Sequence, residues 1–575
     1  MYSNLKNVQY LISMLKEQNV KHIVVSPGNS HNAIVRSLEN DSFFKTYNIV
    51  DERSAAFFAL GLIQELQDKV AICCTSGTAA TNYLTGVTEA SRRNLPLIVI
   101  TGDKNPYYLA QQTDQMIDQI NLFKTVVKYS VSLPLIKDEK DEWYCKRLLN
   151  EAFLELDHHG VGPVQINVPI EEGMLAIDEY FNSTTLPKIN VIKRFDINSN
   201  KNDLENIFNS LKSKKVLIIY GQDYVIPKEC IKSLEKIQKN YNCIIGVDKL
   251  SNLHGEGIIE ISRAALSKRI QSRFEELVPD VVITLAGNVA WDGKFSLKSF
   301  NKSFEHWIIN SDGKVQDFYK NLTTIFEMST SEFINIMSKY DVDNNKDYYS
   351  IWEKATKEFK IPEFKYSNLY ATQKLMNKMP EKSILNLGNS TTIRIAEYFD
   401  INKNIKIYCN RGVNGIDGCM SSYVGQSAIT DKLSFLIIGD LTFFYDMNGL
   451  WNRYINKNMR IMLINNEGAA LFHFNQGLKK FPTLNENVAA EHFTSAKGWV
   501  ESLGFKYICS KNKEEFDKNL DEFIKEDSDM PILFEVFTKK EEDAAEQKEF
   551  FNSCLNSKQK MIKNAKNVIK KIIKK

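Results

Sequence analysis

Two polar clusters follow apolar runs in the C-terminal third of the chain. Gly439 and Asp440 follow the run Phe435–Ile438, and the cluster Asn465–Gly468 follows the run Ile461–Ile464. Both runs fit buried strands, and open parallel sheets bind ligands in the crevice at the carboxyl ends of their strands. A carboxylate, an amide and a backbone carbonyl are oxygen ligands that Mg²⁺ takes when it also holds phosphate. The pattern fits such a site, and it equally fits an ordinary strand–helix–strand unit with polar strand ends.

A second candidate group lies near the N-terminus. Glu52 follows the predicted strand Tyr47–Val50 and precedes Ser54–Gln64, a small and apolar segment that fits a well-packed helix. A carboxylate in this setting can hydrogen-bond a ring nitrogen of a cofactor. It can equally be a helix N-terminal carboxylate that the helix dipole stabilises. The residue alone does not separate these two roles.

The elements that would position these groups are short apolar runs that alternate with helical segments. This alternation predicts an α/β protein with parallel sheets. We predict three consecutive parallel-sheet α/β domains over residues 1–182, 183–345 and 346–545. The first and third are similar and flank the middle one, which has Gly-rich turns but no GxGxxG motif. A structural role is therefore expected for the middle domain.

Residues 546–575 are predicted to form a basic helical tail. No acidic residue follows Glu549, and eight lysines occur from Lys558 onward, with apolar residues on one helical face. Such a helix fits weak contact with an anionic membrane surface or an acidic partner. It also fits a solvated terminal helix that frays, which is the slightly favoured interpretation.

Composition limits the class of protein and its location. Of 575 residues, 43% are hydrophobic and 25% charged, which is typical of a soluble globular protein. The net charge of +2 gives no electrostatic reason to expect a nucleic acid partner. Nine cysteines without metal-ligand spacing fit a reducing compartment. With no signal peptide pattern and no apolar run of about 20 residues, we expect a cytoplasmic protein without a transmembrane helix.

Five segments together resemble one enzyme family. They are SPGNS (26–30), DERSAAFFALG (51–61), TSGTAATNY (75–83), NRGVNGIDG (410–418) and GDL…NNEG (439–468). In order and approximate spacing they are similar to 2-succinyl-5-enolpyruvyl-6-hydroxy-3-cyclohexene-1-carboxylate synthases, the thiamine-diphosphate enzymes of menaquinone biosynthesis. The resemblance covers roughly residues 1–545. Leu441, which replaces a glycine found in many thiamine-diphosphate enzymes, points to this branch.

The resemblance implies a cofactor and the residues that hold it. The cofactor is thiamine diphosphate with Mg²⁺, in whose place Mn²⁺ is also compatible. Glu52 looks like the cofactor-activating glutamate, and the implied metal ligands are Asp440, Asn466 and the carbonyl of Gly468. The residues implied to contact the cofactor are Gly77, Thr78, Asn82, Ser390, Ile416, Gly439, Asp440, Leu441, Asn466 and Phe472.

The resemblance also implies a set of substrate-contacting residues. These are Ser30, Lys104, Gln115, Lys294, Arg394 and Arg411. Arg394 and Arg411 look like the arginines that engage substrate carboxylates, for which a guanidinium fork is well shaped. Their retention favours a donor with a second carboxylate, such as 2-oxoglutarate.

Several of these positions depart from the family pattern. Ser30 and Lys104 stand where the family has arginines, and Lys294–Phe295 stands where it has a Lys-Arg pair. A buried substrate carboxylate without a cationic partner is unfavourable by a few kcal/mol. His31 can replace part of the missing charge or simply be a packing residue. The acceptor substrate is therefore left open.

The activity implied is decarboxylation of a 2-oxo acid and transfer of the resulting acyl carbanion to an acceptor, which is isochorismate in the family reaction. One alternative is a paralogous decarboxylase or carboligase that uses another acceptor, such as a sugar derivative, or that protonates the carbanion to an aldehyde. Another is a non-catalytic homologue that acts as a scaffold. Because the first domain of one subunit meets the third domain of another in this family, a homodimer or homotetramer is implied.

Overall fold

The structure is a computed structural model, and it describes residues 1–170, 181–223, 226–266, 274–290, 303–342, 345–357, 359–474 and 477–553. Their contacts separate two compact units. One unit comprises residues 1–195 with 313–325, and the other comprises residues 196–312 with the chain from 326 onward.

A six-stranded parallel sheet forms the core of the first unit. Its strands are β1 (His22–Val25), β2 (Lys45–Asn48), β3 (Val70–Cys74), β4 (Leu97–Asp103), β5 (Tyr129–Ser132) and β6 (Val164–Pro169), in the order β2-β1-β3-β4-β6-β5. The helices are Lys6–Glu17, Asn32–Glu39, Glu52–Leu66, Thr78–Arg92, Gln119–Phe123 and Glu139–Glu155, with a 3₁₀ turn at Pro106–Tyr108. The central strands β3, β4 and β6 are buried along their whole length, as expected for strands covered by helices on both faces.

Seven described strands lie between residues 193 and 327, and the middle five of them belong to the second unit. The strands in this part of the chain are β7 (Lys193–Asp196), β8 (Val216–Tyr220), β9 (Cys243–Val247), β10 (Ile258–Glu260), β11 (Val281–Leu285), β12 (Glu305–Asn310) and β13 (Leu322–Glu327). Within the second unit, β10-β9-β8-β11-β12 pair in that order and are all parallel. The helices are Lys201–Asn209, Lys228–Asn240, Ile261–Leu266, Phe274–Leu277, Thr330–Met337 and Asp347–Lys357, with a 3₁₀ turn at Lys249–Ser251.

A third parallel sheet follows in the same unit. Its strands are β14 (Ile384–Leu387), β15 (Lys406–Tyr408), β16 (Ser434–Gly439), β17 (Met459–Asn465), β18 (Lys506–Ser510) and β19 (Ile532–Phe537), in the order β15-β14-β16-β17-β19-β18. The helices are Asn368–Lys378, Thr391–Ala396, Cys419–Ser427, Asp440–Tyr445, Ala470–Phe474, Lys497–Ser502, Lys513–Phe523 and Lys540–Ser553. Short turns of other helix types are Met447–Leu450, Leu478–Lys480 and Leu484–Val488.

The first and third sheets have the same strand order. In each, the second strand lies outside the first, and the third lies on the opposite side of the first. The predicted class, three consecutive parallel-sheet α/β domains, is confirmed. The strand order reverses between β1 and β3 and again between β14 and β16, and such switch points are where open α/β sheets bind ligands.

The C-terminal helix differs in extent from the predicted tail. The helix Lys540–Ser553 runs across the predicted boundary between residues 545 and 546. Residues 554–575, which contain most of the predicted basic helix, lie outside the described residues. Among the described residues, no helix combines the length and the apolar character that crossing a membrane requires.

Candidate active site

Asp440 begins the helix that follows β16, at the switch point of the third sheet. The side chain is buried, and its Oδ1 accepts the backbone N–H of Leu441 at 2.7 Å. Its Oδ2 accepts the N–H groups of Asn466 at 3.0 Å and Gly468 at 2.9 Å. These bonds fix the turn after β17 against the start of the Asp440 helix, so that the two polar clusters form one site.

The turn after β17 has a conformation that only certain residues adopt. Glu467 has a φ of +63° and Gly468 a φ of +135°. A Cβ at Gly468 would lie 2.6 Å from the carbonyl oxygen of Ala489, so that any side chain there would clash with backbone. Glycine is therefore required at residue 468, which is one of the residues that line the pocket described below.

Asn466 is the second polar side chain of this turn. It is buried, and its Nδ2 donates to Oδ2 of Asp543 at 2.8 Å. Its Oδ1 accepts no hydrogen bond from a described residue. Burial raises the pKa of Asp543 to about 6, against hydrogen bonds from Asn466, Asn368 and Thr538 that lower it. Sequence reasoning missed Asp543, because nothing in its local pattern links it to a residue 77 positions away.

Eight predicted residues of the third domain line one pocket at this edge. They are Ser390, Ile416, Gly439, Asp440, Leu441, Asn466, Gly468 and Phe472. The pocket also includes residues that the sequence did not single out, among them Asn368, Thr372 and Asn389. Asn368 and Thr372 come from the helix Asn368–Lys378. The other lining residues come from the ends of β14, β16 and β17, from the helices that follow those ends, or from the loop after β15.

Asn389 connects two segments of this pocket. Its Nδ2 donates to the carbonyl oxygens of Asn410 and Gly415, each at 2.6 Å. These bonds tie the end of β14 to the loop that carries Ile416. The next residue, Ser390, begins a helix with a φ of +69°, a backbone conformation that is uncommon outside glycine. Backbone strain of this kind persists only where the surroundings impose it, and it is often found at functional sites.

His492 is a further neighbour of Asp440. Its Nε2 lies 3.3 Å from Oδ2 of Asp440. Its Nδ1 accepts the backbone N–H of Thr494 at 3.2 Å, while its Nε2 makes no hydrogen bond to a described residue. The ring packs edge-on against Phe444, with the centroids 5.2 Å apart. No periodic pattern or motif in the sequence indicates this contact.

In the first unit, Glu52 is the first residue of a helix that begins at the end of β2. It is half-buried, and its Oε2 accepts a hydrogen bond from Nδ2 of Asn82 at 3.1 Å. Burial raises the pKa of the Cys74 thiol well above its usual range, and the neighbouring Cys73 and Glu52 raise it further. The first unit therefore presents a carboxylate beside an amide, close to buried residues of β3.

A close helix contact brings Glu52 and Asn82 together. A Cβ on Gly86 would lie 2.4 Å from the Cβ of Ala56, so the helices Glu52–Leu66 and Thr78–Arg92 can approach only because residue 86 is glycine. This explains why the segment after Glu52 is rich in small residues.

Gly77 and Thr78 lie at the end of β3. Gly77 has a φ of +81°, and a Cβ there would lie 2.9 Å from the carbonyl oxygen of Gln115. Its N–H donates to Oε1 of Gln119 at 2.7 Å, and Thr78 begins the helix Thr78–Arg92. Gln115 is exposed and has a φ of +53°. The structure therefore brings the predicted residues Gly77 and Gln115 into direct contact.

Ser30 and Lys104 follow β1 and β4, the two strands that flank β3. Ser30 Oγ lies 2.8 Å from Ser76 Oγ, and the Ser30 N–H donates to Thr75 Oγ1 at 3.0 Å. Lys104 is half-buried. His31 is fully buried, which lowers the pKa of its imidazole to about 4. A ring in this position packs in the interior, and a substrate carboxylate cannot reach it without displacing the chain.

The two described residues that remain in the predicted substrate set, Arg394 and Arg411, neighbour the pocket but do not line it. Arg411 is buried, and its Nη1 donates to Oδ1 of Asn389 at 3.2 Å. Burial raises the pKa of Asp248, and the positive charge of Arg411 opposes that shift. Arg394 is half-buried in the helix that follows Ser390, and neither arginine lines the pocket. Lys294 and Phe295 lie outside the described residues.

The donor set of the pocket fits a divalent cation that also holds phosphate. The buried carboxylate of Asp440, the Oδ1 of Asn466 and the carbonyl of Gly468 are hard oxygen ligands that Mg²⁺ prefers. The Asn466 Oδ1 accepts no hydrogen bond from a described residue. Helices begin on the pocket at Thr391, Asp440 and Ala470, and helix N-termini favour anions. Apolar groups from Ile416, Ile464 and Phe472 complete the lining and suit an organic ring.

Comparison with known proteins gives consistent matches. Residues 5–122 match the family model described as thiamine pyrophosphate enzyme, N-terminal TPP binding domain. A 2-succinyl-5-enolpyruvyl-6-hydroxy-3-cyclohexene-1-carboxylate synthase of Phocaeicola vulgatus is 39% identical over 567 residues, which cover 97% of this chain and 100% of the relative. Synthases of the same name from Bacteroides thetaiotaomicron and Bacteroides fragilis are 37% and 36% identical, over 96% and 97% of this chain and 99% and 100% of the relatives.

Proposed function

This chain belongs to the family of 2-succinyl-5-enolpyruvyl-6-hydroxy-3-cyclohexene-1-carboxylate synthases, and from that premise we propose that it is a thiamine-diphosphate-dependent transferase of menaquinone biosynthesis. It decarboxylates a 2-oxo acid, 2-oxoglutarate, and transfers the acyl carbanion to isochorismate. The cytoplasm is its proposed location.

One observation carries the proposal most strongly. Eight residues that family resemblance assigns to cofactor and metal, spread over residues 390–472, line a single pocket at the switch point of the third sheet. Chain positions this far apart meet only because the fold brings the ends of β14, β16 and β17 together. This supports a diphosphate site, with Asp440, Asn466 Oδ1 and the Gly468 carbonyl as ligands of Mg²⁺.

The residues of the chain act by binding and orienting. Bound thiamine diphosphate supplies a carbanion and an electron sink. Glu52 would hydrogen-bond a ring nitrogen of the pyrimidine, and Asn82 holds the Glu52 carboxylate by donating to Oε2. Ile416 would supply an apolar contact that keeps the cofactor bent. Arg394 and Arg411 would compensate the negative charge of the donor.

The proposal includes a homodimer, the smallest assembly in which the first domain of one subunit completes the third domain of its partner; a tetramer would be built from such dimers. Exposed apolar side chains occur in both domains, and clusters of this kind mark interfaces. In the first domain they include Val50, Phe57, Phe58, Leu66, Tyr107 and Tyr108, and in the third they include Val413, Ile429, Tyr445, Trp451, Tyr454, Phe481 and Phe493. The exposure of Phe57 and Phe58, on the helix that Glu52 begins, supports an interface beside that carboxylate.

The test of this function is CO₂ release from 2-oxoglutarate. Purified protein with thiamine diphosphate and Mg²⁺ is expected to release CO₂, and chelation with EDTA followed by gel filtration is expected to abolish release until both components are restored. A matched sample with Asp440→Asn is expected to stay inactive under the same restoration. If no member of a panel of 2-oxo acids is decarboxylated by the reconstituted wild type, the proposed activity is wrong.

One observation favours a competing function, in which the enzyme uses a different acceptor. Ser30 is hydrogen-bonded to Ser76 at a position where the family has an arginine, and His31 is too buried to replace that charge. A paralogue with an acceptor of lower charge, such as a sugar derivative, would show CO₂ release that isochorismate does not accelerate.

A further inference from the structure

The carboxylate of Asp543 lies directly behind the proposed metal site. It is fully buried in the helix Lys540–Ser553. Its Oδ1 accepts the backbone N–H of Asn368 at 2.9 Å, and its Oδ2 accepts from Thr538 Oγ1 and Asn466 Nδ2, each at 2.8 Å. The carboxylate is the acceptor in all three of these hydrogen bonds.

This contact determines which way the amide of Asn466 points. A side-chain amide has a donor end and an acceptor end, and a carboxylate partner accepts only from the donor end. With Nδ2 held on Asp543, Oδ1 is turned to the opposite side. Asn466 lines the pocket, and its Oδ1 has no donor among the described residues.

We propose that Asp543 is a positioning residue for the metal site, which holds the Asn466 amide in the orientation that presents Oδ1 to Mg²⁺. The inference rests on the proposed cofactor and deepens it. Partners that orient metal ligands in this way commonly change metal affinity by 10–100-fold when they are lost.

The surrounding contacts make the C-terminal helix part of the site. The N–H of Lys540 donates to the carbonyl of Asn466 at 3.1 Å, and the N–H of Thr538 donates to the carbonyl of Asn465 at 3.0 Å. Phe551 packs against Phe474 of the helix that follows the metal turn, with the ring centroids 5.5 Å apart. The segment that follows β19 therefore holds both the backbone and the side chain of Asn466.

Two substitutions distinguish a positioning role of Asp543 from a purely structural one. Asp543→Asn keeps the shape, and its oxygen remains with the N–H of Asn368, so its NH₂ group faces Asn466. The Asn466 amide then turns over to accept, and Nδ2 replaces Oδ1 toward the metal. Exchange of the two residues, Asn466→Asp with Asp543→Asn, restores an oxygen ligand, the hydrogen bond and the net charge together.

The experiment measures the affinity of wild type and variants for Mn²⁺ in the presence of saturating thiamine diphosphate, from the EPR signal of free Mn²⁺. Asp543→Asn is expected to weaken binding at least about tenfold, and the exchanged pair to restore it. Thr538→Val, which removes another donor to the same carboxylate oxygen, is the matched control and should stay within about threefold of wild type. The thermal midpoint of each protein without metal reports on folding separately.

The outcomes separate this inference from the function on which it rests. If wild type binds no Mn²⁺ with thiamine diphosphate, the proposed cofactor is wrong. If wild type binds and Asp543→Asn binds equally, the positioning role is overturned. Should the single variant fail to fold, the exchanged pair decides: binding like wild type supports the role, and weak binding by a folded exchanged protein overturns it.

Discussion

At the scale of single residues, the site is built from polar groups whose partners hold them before any ligand arrives. Asp440 is held by three backbone N–H groups, and Asn466 by Asp543. Glu52 is held by Asn82. Groups already held in this way lose little conformational freedom when the cofactor binds, which favours affinity and correct geometry.

Glu52→Gln tests the proposed activating carboxylate. An amide has the same shape but cannot take part in the proton transfer, so turnover is expected to fall by roughly 10²–10⁴-fold. Thiamine diphosphate affinity and the thermal midpoint should change little, because Glu52 is at a half-buried helix start. Turnover equal to wild type would remove Glu52 from this role.

His31 is expected to make the stability of the protein depend on pH. Burial lowers its pKa from 6.5 to about 4, so the unfolded chain binds a proton that the folded chain does not. The free energy of unfolding is therefore expected to decrease by up to about 3 kcal/mol as the pH falls from above 6.5 toward 4. His31→Leu removes the group, and urea unfolding between about pH 7 and pH 5 should show a shallower loss in the variant. Equal slopes for both proteins would contradict the account.

At the scale of elements, side chains of the middle domain hold β15 and the loop that follows it. The side chain of Asn252 donates to the carbonyl of Ile407 at 2.9 Å and accepts its N–H at 2.7 Å. Gln222 donates to the carbonyl of Cys409 at 2.7 Å, and Asn288 to that of Arg411 at 3.2 Å. These bonds position the segment that carries Arg411 and Ile416.

Asn252→Gly tests this contribution. Asn252 has a φ of +53°, which glycine adopts freely, so the substitution does not strain the backbone. It removes both side-chain bonds to Ile407 and the bonds from Nδ2 to the carbonyls of Asp223 and Leu250. A loss of about 1–3 kcal/mol in stability is expected, with a severalfold higher KM for 2-oxoglutarate because the loop of Arg411 is less well held. Asn19→Gly, at an exposed residue with a φ of +56°, is the matched control. An unchanged KM in Asn252→Gly would show that the loop holds its position without the middle sheet.

Parts of this architecture were accessible from the sequence. Buried strands are continuous apolar runs, and polar or glycine residues at their ends mark the edge where ligands bind, as at Gly439–Asp440 and Asn465–Gly468. The contacts of Asp543 and Asn252 were not accessible, since a hydrogen bond between residues 77 or 155 positions apart leaves no local pattern. The burial of His31 was equally hidden, because it results from the approach of β4 to the start of a helix.

At the scale of the whole molecule, the first and third sheets share one strand order and carry complementary halves of the proposed chemistry. The first domain contains Glu52, and the third contains the residues proposed to bind the diphosphate and the metal. In the proposed homodimer each active site combines the Glu52 of one subunit with the Asp440 of its partner. Whether the two subunits share each active site can be tested by mixing inactive variants.

Complementation between inactive variants provides that test. Glu52→Gln and Asp440→Asn are each expected to be inactive alone. After equal amounts are unfolded, mixed and refolded, half of the dimers carry one of each, and one of their two sites is intact, so about a quarter of wild-type activity is expected. Refolded wild type is the control for recovery. A mixture no more active than either variant would place both residues in a site within one subunit.

The identity of the product tests the proposed transfer to isochorismate most directly. The protein is incubated with thiamine diphosphate, Mg²⁺ and 2-oxoglutarate, with and without isochorismate, and products are resolved by mass spectrometry while CO₂ is recorded. We predict that isochorismate accelerates CO₂ release and that 2-succinyl-5-enolpyruvyl-6-hydroxy-3-cyclohexene-1-carboxylate forms in amounts equal to the CO₂. Release of CO₂ at a rate that isochorismate does not change, with only the protonated aldehyde as product, would contradict it.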